Sequence, residues 1–138
     1  MSYDLMVFDP AAAPMNRQEF LSWFDQQAEW SETHGYDDPA VSSPGLRSWF
    51  LEMISDFPAL NGPYASKSDD MDDPRITDYC IGQSVIYAAF RWSEADIAYE
   101  VMFRNAAKHR VGFYDVSSDN GAVWVPNAQG EFEMAHSD

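Results

Sequence analysis

Apolar residues change their spacing several times along this chain, and the order of those changes constrains the fold more than any other feature. Tyr3 to Phe8 is a short run dense in strand formers, closed by Asp9-Pro10. Asn16 stands three residues before Glu19, a capping-box arrangement, and Phe20, Leu21, Phe24 and Ala28 then recur at helical spacing, which predicts a helix over about 17–32. Trp23 and Trp30 widen its apolar stripe, so this helix packs on more than one side. Ser43-Pro44 is a second start signal, followed by Leu46, Trp49, Phe50, Met53, Ile54 and Phe57 and stopped by Pro58. Residues 76–81 and 85–92 are β-rich runs split by Gly82-Gln83, a hairpin signal. Ser93 with Asp96 caps a third helix, whose last turn holds Lys108, His109 and Arg110. Residues 111–116 and 122–125 are strands joined across Ser118-Asp119-Asn120-Gly121.

That order, β-α-α-β-β-α-β-β, predicts an α+β fold. Helices cover one face of a largely antiparallel sheet, in a ferredoxin-like variant with an extra helix. Residues 1–126 read as a single domain and residues 127–138 as an acidic, flexible tail. A hydrophobic share of 46% over 138 residues is enough for one real core. Trp23, Trp30, Trp49 and Phe50 are expected in that core, or, if exposed, as interface anchors. Arg47 and Arg91, each near a Trp, are expected to stack on it or to pair with acids. Cys80 stands alone between Tyr79 and Ile81, which predicts a buried structural thiol, no intrachain disulfide and a reducing compartment. The first residues carry no basic stretch leading into an apolar one, so the expected location is cytoplasmic.

The chemistry is set by charge. There are 23 Asp and Glu against 8 Lys and Arg, a net of −15. Such a field repels the phosphates of nucleic acid and of anionic lipid, and its natural complement is a basic protein. Asp69, Asp70, Asp72 and Asp73 lie in a stretch without apolar periodicity and read as a solvated loop able to wrap such a partner. They miss the calcium-loop pattern, which wants Gly at the sixth position and Glu at the twelfth. His34, His109 and His136 have no zinc spacing, and neither a nucleophile elbow nor a phosphate-cradling glycine loop occurs. The sequence therefore nominates no catalytic residue, no metal ligand and no cofactor. It nominates Glu29, Glu32, Asp37 and Asp38, together with the 69–73 acids, as partner-binding.

Four segments, Tyr3–Phe8, Leu46-Arg47-Ser48-Trp49-Phe50, Thr77–Gly82 and Ile86–Phe90, resemble the small cytoplasmic immunity proteins of bacterial toxin–immunity systems. That resemblance implies a cognate toxin domain, often basic, whose active site an acidic surface blocks. It carries no binding residue to any position of this chain. The expected function is thus an acidic inhibitor that occludes a basic partner's active site. Two alternatives stay open. One is a small-molecule enzyme, favoured by a polar pocket among Asp78, Tyr87 and Arg91; the other is a subunit that self-associates through its Trp-rich helices.

Overall fold

A computed structural model describes residues 2–66 and 73–138. Within them the chain forms an α+β fold of six strands and three α-helices: β1 (Tyr3–Phe8), α1 (Arg17–Gln27), α2 (Pro44–Asp56), β2 (Asp78–Ile81), β3 (Val85–Phe90), α3 (Ala95–His109), β4 (Gly112–Tyr114), β5 (Val123–Pro126) and β6 (Phe132–His136). The sheet runs β2-β3-β1-β4-β5-β6, and its neighbouring strands pair antiparallel. The order β2-β3-β1-β4, which the sequence leaves open, is that of a split β-α-β arrangement and agrees with the ferredoxin-like variant expected. β5 and β6 extend it as a meander. No helix among the described residues is long and apolar enough to cross a membrane.

Helices cover both faces of the sheet, where the sequence predicts one. Leu5, Met6, Val7 and Phe8 are all buried, so successive side chains of β1 enter opposite cores. On one face, α2 and α3 bring Leu46, Trp49, Phe50, Met53, Val101 and Met102 onto Leu5, Val7, Ile86, Ala88 and Phe113. Each such side chain fully withdrawn from water contributes roughly 1.5–3 kcal/mol, which conformational entropy largely offsets. Glu52 ties the two helices by accepting from Lys108 and His109. On the other face, Met6, Phe8, Val85, Tyr114 and Val123 meet Phe20 of α1, with Trp23 and Phe24 beside it.

Local signals act as expected at several points. Asn16 Oδ1 accepts from the Glu19 N–H at 3.2 Å, and the Gly82 N–H closes the β2–β3 hairpin on Val85 at 2.8 Å. Others differ. Ser93 lies inside a short 3-10 turn, Trp92–Glu94, and makes no cap for α3. Arg47 stacks on no tryptophan; it donates to the carbonyls of Pro39, Ala40 and Ser42 and so ties down the turn before α2. A cation–π contact forms instead between Arg75 and Phe57, at 5.3 Å.

The segment expected to fray as an acidic tail carries β6. Asn127 organises the reversal, its Oδ1 accepting from the Gln129 and Glu131 N–H groups, and Gly130 adopts φ +79° at the turn. Phe132 then packs on Phe103 and Trp124, which draws the acidic strand onto the sheet. Arg17 secures the far end, donating to the Gly121 carbonyl at 2.7 Å and pairing with Asp138 at 3.1 Å.

Candidate functional site

α1 stops before it has covered its face of the sheet. The expected helix reaches residue 32, but the observed one ends at Gln27 because the chain turns back through Trp30, which sits in the left-handed region at φ 50°. The Trp30 ring is held edge-on against Tyr36 at 5.4 Å and Tyr87 at 6.3 Å. This turn leaves the β3–β2 end of the face open, and a pocket of about 410 Å³ lies there. Phe24, Ala28 and Trp30 wall it; Asp4, Asp78, Cys80, Tyr87 and Ala89 line the sheet side.

Strand register decides which groups meet. Ala89 of β3 faces Asp4 of β1 on one side and Asp78 of β2 on the other. Two carboxylates therefore flank one methyl-sized floor, with their Cα atoms about 10 Å apart from the spacing of adjacent strands. In the next row Tyr87 lies opposite Cys80 and Met6. A second hollow of about 460 Å³ shares Ser2, Asp78 and Ala89 with the first and continues to Leu60, Ile76, Phe90 and Arg91. Together they make one groove across the end of the sheet.

The hydrogen bonds orient this groove toward a donor-bearing ligand. Asp4 Oδ2 accepts from the Tyr87 hydroxyl at 2.5 Å and Oδ1 from the Ser2 hydroxyl at 2.5 Å, while the Asp4 N–H donates to Ser117 Oγ at 2.8 Å. Burial, aided by the bond to Asp4, raises the Tyr87 phenol well above its ordinary value, so it stays a proton donor. Cys80, predicted from the sequence to be a buried structural thiol, is half-buried. Its pKa is pushed up to about 11 by burial and by the charge of Asp78, which keeps it protonated and a poor nucleophile near neutral pH. Carboxylate acceptors facing an aromatic wall suit a cation that carries N–H donors. Among the described residues, no group of three or more His, Cys, Asp or Glu is placed to hold a metal ion.

The acids nominated by sequence fall into different roles. Glu29 is exposed beside Trp30 and, with Glu32, lines a shallow hollow of about 360 Å³ next to the groove. Glu32 is half-buried: its carboxylate accepts from the Gln83 N–H at 3.1 Å and pairs with His34, which pins the segment after α1 to the β2–β3 turn. Asp37 is exposed and packs against Gly62, whose φ of +88° and lack of a Cβ permit the approach. Asp38 caps the 3-10 turn Pro39–Val41 by accepting from the Ala40 N–H at 2.9 Å. Asp73 accepts from the Arg75 N–H at 2.9 Å. Asp69, Asp70 and Asp72 lie outside the described residues.

Sequence reasoning passed over Asp4, which only the register of β1 against β3 brings to the groove. Asp78, Tyr87 and Arg91, named for a pocket of a different use, do line it. Of the aromatics, Trp49 and Phe50 are fully buried, and Trp23 and Trp30 pack partly buried against the second core. Comparison with known proteins returns no match: no family model, no curated sequence and no solved structure pairs with this chain.

Proposed function

We propose that this chain is an acidic, cytoplasmic protein-binding inhibitor of the immunity type, which neutralises a basic partner such as a toxin domain by covering its active site. The observation that carries the reading is the Asp4–Ala89–Asp78 row inside an aromatic-walled groove, on a chain of net charge −15. A strong single-sign field speeds encounter with an oppositely charged protein, by roughly 10–1000-fold at low salt, and desolvated pairs then fix the register. Glu29 and Asp37 stand exposed, next to Trp30 and against Gly62 respectively, and serve the encounter; Asp4 and Asp78 serve the lock. Glu32, Asp38 and Asp73 act mainly by holding loops in place.

The test is retention on the immobilised chain at low and then moderate salt, followed by assay of the retained protein's own activity. The expected result is one basic protein in stoichiometric amount whose activity the chain abolishes. Retention of nothing at low salt, or of a protein whose activity the chain leaves untouched, refutes the inhibitor reading.

A further inference from the structure

We propose that the pocket over Ala89 takes an arginine side chain of the basic partner, its guanidinium set between the carboxylates of Asp4 and Asp78 and its stem and flat face lying along Trp30 and Phe24. This rests on the reading of the chain as a binder of a basic protein, and it names what is recognised and where.

Three features of the pocket select arginine. The two carboxylates lie on opposite sides of Ala89, about 10 Å apart at their Cα atoms, so one ligand meets both only if its donors diverge. A guanidinium presents five N–H groups in a rigid fork, whereas an ammonium is a compact point charge. Secondly, Trp30 and Phe24 supply aromatic surface on one wall, and a guanidinium is weakly hydrated and stacks on such surface more readily than an ammonium. Thirdly, one acceptor is set in advance: the Tyr87 and Ser2 hydroxyls fix the Asp4 carboxylate, so less side-chain freedom is lost when a ligand arrives.

The other end of the groove adds a preference. Leu60, Ile76 and Phe90 line it beside Arg91. These side chains offer apolar surface, so the partner residue that lies there beside the arginine is apolar. At about 3.3 Å per residue, an extended peptide lying along β3 from Tyr87 toward Arg91 places the two anchors about two to four positions apart.

The experiment is NMR titration of the 15N-labelled full chain with N-acetyl-arginine methylamide, against the neutral isostere N-acetyl-citrulline methylamide and the lysine analogue. Shifts should concentrate at Asp4, Trp30 (indole N–H included), Asp78, Tyr87 and Ala89, with citrulline and lysine each weaker by about tenfold. Asp78→Asn and Trp30→Gly should each weaken arginine by about tenfold or more; glycine suits the backbone at residue 30, so the second variant keeps the fold while removing the ring. Equal binding of citrulline, or shifts scattered over every acidic patch, overturns the pocket. The outcomes also separate from those of the inhibitor reading. Capture of a basic partner that tolerates D78N and W30G removes the pocket and leaves the inhibitor; selective arginine binding without a captured partner does the reverse.

Discussion

Trp30 offers a test of the turn that opens the groove. It is a bulky non-glycine residue at φ 50°, and an L side chain in the left-handed region costs roughly 1–2 kcal/mol. Two alternative replacements separate the ring from the backbone. Trp30→Ala removes the contacts with Tyr36 and Tyr87 and keeps the strain. Trp30→Gly removes the same contacts and releases it, while adding roughly 0.5–1 kcal/mol of unfolded-state entropy. Loss of the half-buried ring costs about 2 kcal/mol in both. Glycine should therefore be the more stable replacement by about 0.5–1 kcal/mol, the reverse of the usual order at an ordinary loop position. Urea unfolding followed by far-UV circular dichroism measures the difference, provided the slopes match. An alanine variant as stable as the glycine variant, or more so, refutes the claim that packing of the ring holds a strained turn.

Three further outcomes follow from individual residues. Gly112→Ala places a Cβ within 2.2–2.6 Å of the Phe8 ring, which is fully buried, so thermal or urea unfolding should show a loss of about 2–3 kcal/mol; a loss under 0.5 kcal/mol means the ring has room to move. Because the Cys80 pKa is pushed up to about 11, only about 0.1% is thiolate at pH 8, and alkylation by iodoacetamide should stay slow until the pH nears 10; rapid labelling at pH 7 contradicts the burial of this thiol.

His34 and His136 should titrate on opposite sides of the ordinary value. Both nitrogens of His34 face oxygens, the Gly35 carbonyl first and Glu32 second, so its pKa is raised; burial first and the Arg17 charge second lower that of His136. His34 thus contributes stability that is fully present below the ordinary histidine pKa and lost as pH rises through its higher folded value. His136 contributes stability that is present above the ordinary value and lost as pH falls from there through its lower folded value. Histidine ring NMR reads both midpoints, and finding His136 above His34 overturns the assignment.

Much of the architecture is legible in the chain. The capping residue Asn16, Pro44 at the first position of α2, the Gly82 hairpin and the Asn120-Gly121 turn each act within a few residues of themselves, so local pattern suffices; the Ser43 hydroxyl, expected to cap α2, makes no such bond. The second covered face had a signal too: Leu5 to Phe8 has no polar alternation, the mark of a central strand buried on both sides. β6 was harder to see. Its acids imitate a solvated tail, and only Phe132 meeting Phe103 and Trp124 brings the strand to the sheet. The end of α1 was hidden as well, because apolar periodicity runs on to Trp30 while the backbone reverses there under the pull of Tyr36 and Tyr87.

By itself the sequence determined an α+β chain with an antiparallel hairpin framework and a strongly negative field, since propensity, turn chemistry and net charge are local or additive quantities. Only the tertiary structure decided which acids share a site. Asp4 and Asp78 lie on β1 and β2, strands that never pair, and meet only because β3 runs between them with Ala89 in register with both. Register depends on how every strand packs at once, so no spacing along the chain records it.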